Sequence, residues 1–146
     1  MVEIYFAAGL LSLCSYCDIH GGVCQYLEVY YNMPSVYTIY VIELSKKVYT
    51  DVRKFRDANP QYNGILECLY VGMTSKSPKE RFAQHMHGVK SRKGHDISSR
   101  IVKKYGMYLR PNLSRGLQAK SRAEALAMEK NLTLEFRRKR YAVWSN

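Results

Sequence analysis

Residues 69–85 read LYVGMTSKSPKERFAQH, and this stretch predicts a strand, a turn and a helix in direct succession. Residues 65–71 are mostly apolar and include β-branched and aromatic side chains, which favours a strand. The run SPKE at 77–80 predicts a helix start, because serine caps, proline suits the first helical position and glutamate completes a capping box. We expect this helix to end at Gly88.

Upstream of this stretch, residues 36–44 (VYTIYVIEL) have the β-branched and aromatic composition of a second strand. Residues 47–58 place Val48, Val52 and Phe55 on one helical face, so we expect a helix there. The following ANPQYNG has proline and Asn-Gly breakers and predicts a loop.

Downstream, apolar residues spaced by four predict a helix over residues 96–105, ending at Gly106. A second capping box, SRAE at 121–124, opens the longest predicted helix, which runs to about Arg138. An extended loop or strand separates the two helices. The order of elements favours a small mixed α/β sandwich.

The charge is distributed unevenly along the chain. Residues 1–89 hold 8 Lys and Arg against 8 Asp and Glu, whereas residues 90–146 hold 15 against 4, a net charge of +11. A one-sided basic surface attracts polyanions and suits phosphate contacts. The alternative is a solubilising face, which mixed signs would serve better. Charge therefore favours a nucleic-acid partner.

Residues 1–32 differ from the rest because they contain no Lys or Arg and three of the four cysteines. We interpret them as an N-terminal extension of unknown role, with Met33 as an alternative start. The run CSYCDIHGGVC resembles a zinc loop, but its spacing is too short for the usual knuckle, so reduced structural cysteines are favoured. The candidate zinc ligands are Cys14, Cys17, His20 and Cys24.

No export signal and no run of 18 apolar residues is present, so we expect an intracellular protein without membrane contact.

Glu129 lies on the apolar stripe of the last predicted helix, beside Ala125 and Phe136. It has no basic residue three or four positions away, whereas Glu135 has Arg138 and Lys139. A carboxylate on that stripe loses water unless something compensates. It is either a ligand of a hard divalent cation or a stripe-edge residue reaching solvent or a distant arginine.

Arg81 and His85 are four residues apart and share one face of the first capped helix, with Phe82 and Met86 pointing toward the core beside them. A guanidinium and an imidazole suit phosphodiester chemistry. The alternative is a surface arginine and a half-buried histidine.

Tyr40 and Tyr70 lie on neighbouring strands if the two strands pair, and a phenol beside a cation can activate water. The alternative is packing, since the chain holds 13 tyrosines.

Four motifs in this order resemble a GIY-YIG nuclease domain over residues 36–144: TIYVIEL, CLYVG, the helix carrying Arg81 and His85, and EALAMEKNL around Glu129. The closing run SRAEALAMEKNLTLEFRRKRYAVW is similar to the nuclease domain of the bacterial excision-repair enzyme. The resemblance implies an α+β fold for residues 33–146, with a small three-stranded antiparallel sheet flanked by helices.

By position, the resemblance makes Tyr40 and Tyr70 the motif tyrosines, with Tyr37 a second candidate for the first motif. It implies that Gly72 lets the backbone approach the site closely.

The same resemblance implies that Arg81 holds the scissile phosphate and that His85 belongs to the catalytic set. Glu129 is implied to bind one Mg²⁺ or Mn²⁺, while a tyrosine activates the attacking water.

The sequence departs from the family pattern at several positions. Thr38 replaces a motif glycine, Met73 replaces a lysine, and Ala142 replaces an asparagine. The link between the motif strands is long, and the Tyr70–Arg81 spacing is one residue longer than in many relatives.

We therefore expect a divalent-metal-dependent endonuclease that nicks nucleic acid, DNA rather than RNA, one strand per active site, in DNA repair or a mobile element. The alternative is a basic nucleic-acid-binding module without turnover. A third reading is a catalytic subunit that a partner protein recruits.

Overall fold

The computed structural model describes residues 36–90, 94 and 98–145, and the fold below concerns these residues. In chain order the elements are β1 (Tyr37–Leu44), α1 (Lys47–Asp51), α2 (Arg53–Asp57), β2 (Cys68–Thr74), α3 (Pro78–His87), α4 (Arg100–Tyr105), β3 (Gly106–Leu109), a 3₁₀ turn (Pro111–Leu113), β4 (Gln118–Ala119), α5 (Arg122–Arg138) and β5 (Ala142–Trp144).

The strands form one mixed sheet in the order β3–β1–β2–β5, with β4 also paired to β1. β1 runs antiparallel to β2, β3 and β4, and β5 runs parallel to β2. The α+β class is confirmed, but the three-stranded antiparallel sheet is wrong. The added strands have two to four residues, too short for an alternating pattern to predict them.

Helices cover both faces of the sheet, which is why the two central strands are mostly apolar. Alternate residues of β1, such as Tyr40 and Ile42, pack toward the side of α1, α2 and α4. Ile39 and Val41 pack on the other side, against α5. The site residues described below come from β1, β2, α3 and α5.

Both predicted capping boxes are present, each at the start of a helix that carries site residues. The Ser77 hydroxyl accepts the Glu80 N–H at 3.2 Å, and the Ser121 hydroxyl accepts the Glu124 N–H at 3.1 Å. Gly88 ends α3 with φ +68°, a left-handed conformation that glycine adopts without strain.

Two helix predictions are corrected. The expected helix over residues 47–58 is two short helices, because Val52 has extended backbone angles. The helix expected over 96–105 is described from Arg100, and residues 96 and 97 lie outside the described part of the chain.

The predictions on the N-terminal extension, Met33 and the four candidate zinc ligands lie outside the described residues. Within the described ranges, no helix combines the length and apolar character that crossing a bilayer requires.

Candidate functional site

A buried hydrogen-bond chain joins β1, α3 and the residue before α4. The Tyr40 hydroxyl lies 2.8 Å from His85 Nε2, and the Ser99 backbone N–H donates to His85 Nδ1 at 2.8 Å. Tyr40 is 2% exposed and His85 0%. The prediction that Met86 faces the core beside Phe82 is wrong, since Met86 is 38% exposed and His85 takes the inner position.

The Ser99 amide determines which nitrogen of His85 carries the proton. A backbone N–H can only donate, so Nδ1 accepts and is unprotonated. A neutral imidazole then has its proton on Nε2, from which it donates to the Tyr40 oxygen. Burial, and to a smaller extent the positive charge of Arg81, lower the pKa of His85 to about 4. His85 is therefore neutral at pH 7 and acts as a donor toward Tyr40.

Gly72 provides the space that the Tyr40 phenol occupies. A Cβ atom at Gly72 would lie 2.6 Å from the Tyr40 hydroxyl oxygen and 2.9 Å from Tyr70 Cε1. The two tyrosine rings lie 6.2 Å apart between centroids, and the Tyr70 ring meets the His85 ring edge-on at 5.5 Å. The space beside this glycine is thus filled by side chains of the site itself.

Arg81 and Glu129 bring opposite charges to the two phenols. Burial raises the pKa of Tyr40, and the charge of Arg81 with hydrogen bonds from Arg81 and Tyr70 offsets part of that rise. Burial also raises the pKa of Tyr70, with further increases from Tyr40 and from the negative charge of Glu129. Each phenol therefore lies within electrostatic reach of both Arg81 and Glu129.

Glu129 faces the protein interior, as the helical-wheel pattern predicts. It is 5% exposed on α5, in the same buried row as Ala125, Leu132 and Phe136. This burial contradicts only the expectation that the carboxylate reaches solvent; metal binding and pairing with a distant arginine both stay predictions. α5 packs with this face against β1, β2 and β5. The Tyr40 and Tyr70 rings belong to the cluster on the opposite side of the sheet, although the charge of Glu129 still raises the pKa of both phenols.

An open hollow of about 330 Å³ adjoins these groups, lined by Tyr37, Met73, Thr74, Ser75, Lys76, Arg81 and Gln84. The half-buried Arg81 donates to the Gln84 side-chain oxygen at 3.2 Å. Lys76 pairs with Glu80 at 2.8 Å. The hollow thus combines two cations with hydroxyl and amide groups, a combination that suits a phosphate.

Tyr37 and Tyr40, the two candidates for the first motif, have different environments. Tyr37 lines the hollow, whereas Tyr40 is buried against His85.

Sequence reasoning missed Ser99, Lys76 and Gln84. Lys76 and Gln84 have no distinguishing pattern among other polar residues, and Ser99 acts through its backbone, which any residue except proline would supply.

Among the described residues, no group of three or more His, Cys, Asp or Glu side chains is arranged to hold a metal ion. A single carboxylate, that of Glu129, supplies too few protein ligands for a zinc site enclosed by protein. Mg²⁺ needs fewer protein ligands, because it keeps several waters and binds through one or two carboxylates together with substrate phosphates. Glu129 is the carboxylate that could hold such an ion here.

No protein-family profile, curated protein or solved structure matches this chain significantly. The GIY-YIG resemblance therefore stays a prediction, and the geometry above has to support any functional proposal.

Proposed function

We propose that this protein is a divalent-metal-dependent endonuclease that hydrolyses phosphodiester bonds in DNA, one strand per active site. The observation that supports the proposal is that Tyr40 and Tyr70, on neighbouring strands, each lie within electrostatic reach of the Arg81 guanidinium and the buried Glu129 carboxylate. Burying Glu129 costs free energy, and a packing role would be served better by an apolar side chain.

Arg81 binds and orients the phosphate in this proposal. It is half-buried and lines the open hollow, so a phosphate there can reach its guanidinium. Arginine can donate two parallel hydrogen bonds to a phosphate, which positions it and stabilises the charge that develops during displacement.

Glu129 would hold Mg²⁺ or Mn²⁺. When bound, that ion supplies Lewis-acid stabilisation of the phosphate and of the leaving oxygen.

In this proposal the Tyr40 phenol first releases its own proton to solvent, and the resulting phenolate accepts the proton of the attacking water as the water oxygen bonds to phosphorus and the leaving oxygen departs. His85 is a positioning residue. The Nε2–H of His85 donates to the Tyr40 oxygen and stabilises its ionised form. Arg81 assists through its charge and hydrogen bond. His85 cannot itself accept a proton at Nε2, because its tautomer already carries one there.

The test is a plasmid-nicking assay over a series of Mg²⁺, Mn²⁺ and Ca²⁺ concentrations. Wild-type protein should convert supercoiled plasmid to the open circle with Mg²⁺ or Mn²⁺. Glu129→Gln should lower the rate at least about 100-fold while DNA binding persists. Glu135→Gln is the matched control, since Glu135 is an exposed acid of the same helix paired with Lys139. Equal nicking by wild type and Glu129→Gln would refute the proposal.

A second candidate is a basic nucleic-acid-binding module without turnover. The observation that favours it is the raised pKa of both Tyr40 and Tyr70, because a phenol that resists ionisation is a poor base at neutral pH. Such a module would retard DNA equally with EDTA or Mg²⁺ and would never nick it.

A further inference from the structure

The outer edge of β1 has a gap between its two short partner strands. β4 pairs with Tyr37 and Thr38, and β3 pairs with residues from Ile42 onward. Between them, the Ile39 N–H donates to the Leu117 carbonyl and the Val41 carbonyl accepts the Arg110 N–H. The chain from residue 110 to 117 arches away from the sheet between these two bonds, through the 3₁₀ turn.

A cavity of about 210 Å³ occupies this gap. Its walls are mostly apolar and come from Ile39, Val41, Pro78, Leu109 and Pro111, with Tyr40 behind them. This volume is below the roughly 300–1,000 Å³ of pockets for drug-sized ligands, so the cavity suits a single small ring system.

The polar side chains that line the cavity are those of Thr38, Tyr40, Ser114 and Arg115. The Arg115 side chain is exposed and Ser114 is nearly buried, and both line the cavity. In an antiparallel ladder the amide and carbonyl of one residue point to the same edge. The Val41 N–H and Ile39 carbonyl therefore face the gap, one donor and one acceptor at the wall.

The cavity adjoins the hollow that contains Arg81. Tyr37 lines the hollow and the next residue, Thr38, lines the cavity. The turn after β2 borders both, through Lys76 on one side and Pro78 on the other. Both spaces thus border the same two segments of the chain, β1 and the turn after β2.

We propose that this cavity receives one unpaired nucleobase of the bound strand, so that the protein prefers nucleic acid with a bulged or extruded base. This inference rests on the proposed function. A nucleobase has two apolar faces and an edge of donors and acceptors, which matches apolar walls with backbone polar groups and an arginine at the rim. Extruding a base is easiest where it is already unpaired.

The test is metal-free binding, measured by fluorescence anisotropy with two dye-labelled DNA duplexes of the same sequence. One is fully paired and the other carries a single unpaired adenine. Wild type should bind the bulged duplex about tenfold more tightly, the scale of one stacked base. Leu109→Trp fills the cavity and should abolish the preference while leaving the affinity for paired duplex unchanged. Leu126→Trp, on the exposed face of α5, is the matched control and should keep the preference.

Arg115→Ala is the second variant and stands in if Leu109→Trp does not fold. It should weaken the bulged complex at least about threefold more than the paired one. Equal affinities of wild type for the two duplexes would overturn the inference, as would a preference that survives in both cavity variants. Because no metal and no cleavage are involved, the result is independent of nicking. If the protein nicks DNA but binds the bulged and the paired duplex equally, only the base pocket is refuted. If it prefers the bulged duplex but does not nick DNA with any metal, only the nuclease proposal is refuted.

Discussion

Tyr40 and Gly72 lie directly opposite each other on the antiparallel strands β1 and β2, and the Tyr40 hydroxyl fills the space that a Cβ atom at residue 72 would need. The phenol can point toward His85 only because residue 72 has no side chain. The position of the candidate catalytic residue Tyr40 therefore depends on the cross-strand register as well as on the local sequence motif.

Gly72→Ala should displace the Tyr40 ring and destabilise the protein by about 1–3 kcal/mol, the usual cost of overpacking. Urea unfolding measures this loss. In a Tyr40→Ala background the same substitution should cost less, because the two closest atoms, both of Tyr40, are gone and only Tyr70 Cε1 at 2.9 Å still crowds the new Cβ atom. Additive effects of the two substitutions would contradict the packing relationship.

The buried neutral His85 should make stability fall in mild acid. Its pKa is about 4 in the folded protein against an ordinary value of 6.5, so the unfolded chain binds more protons between these pH values. Stability from this residue is therefore complete above pH 6.5 and is lost as the pH falls from 6.5 to 4.

The comparison that isolates this effect is urea unfolding of wild type and His85→Gln at four pH values from 4.5 to 7.5. The variant should show a shallower decline in unfolding free energy over that range. His87→Gln, on the exposed side of the same helix, should retain the wild-type slope. An identical slope in the wild type and His85→Gln would mean that His85 titrates normally.

Asn59 should be essential for the attachment of β5. It is fully buried, its side-chain oxygen accepts the Val143 N–H at 2.7 Å, and its amide donates to the Phe55 carbonyl at 2.8 Å. Asn59→Ala leaves these buried backbone groups unpaired, at about 1–3 kcal/mol for each group. Chemical denaturation should show the loss, whereas Asn131→Ala, at an exposed position on α5, should change stability by less than about 0.5 kcal/mol.

Substituting the two tyrosines of β1 separately tests which phenol acts on substrate. Tyr40→Phe should lower the nicking rate about 100-fold or more if its oxygen accepts the proton from water. Tyr37→Phe removes a hydroxyl at the edge of the hollow and should cost less than about tenfold. The reverse order of effects, in proteins shown by circular dichroism to be folded, would transfer the role to Tyr37.

Local patterns predicted the helices that carry the candidate site. In the capping boxes at Ser77 and Ser121, the hydroxyl and the backbone N–H that donates to it belong to residues within four positions of each other, so the local sequence alone identifies both groups. The position of Glu129 on the buried face of α5 follows from helical geometry in the same way.

The strand pairing was less predictable. β5 has three residues and gains its place beside β2 from Asn59, which lies more than 80 residues earlier in the chain. Short strands depend on such distant partners, and no local period identifies them.

The sequence by itself determined the strand–turn–helix around residues 69–85, the basic C-terminal half and the position of Glu129 on the apolar stripe of its helix, because each depends on neighbours within a few positions or on composition. Only the tertiary structure decided the protonated nitrogen of His85, the occupant of the space at Gly72 and the gap beside β1. Those features depend on a backbone amide, a cross-strand register and two short strands that meet after distant segments pack together.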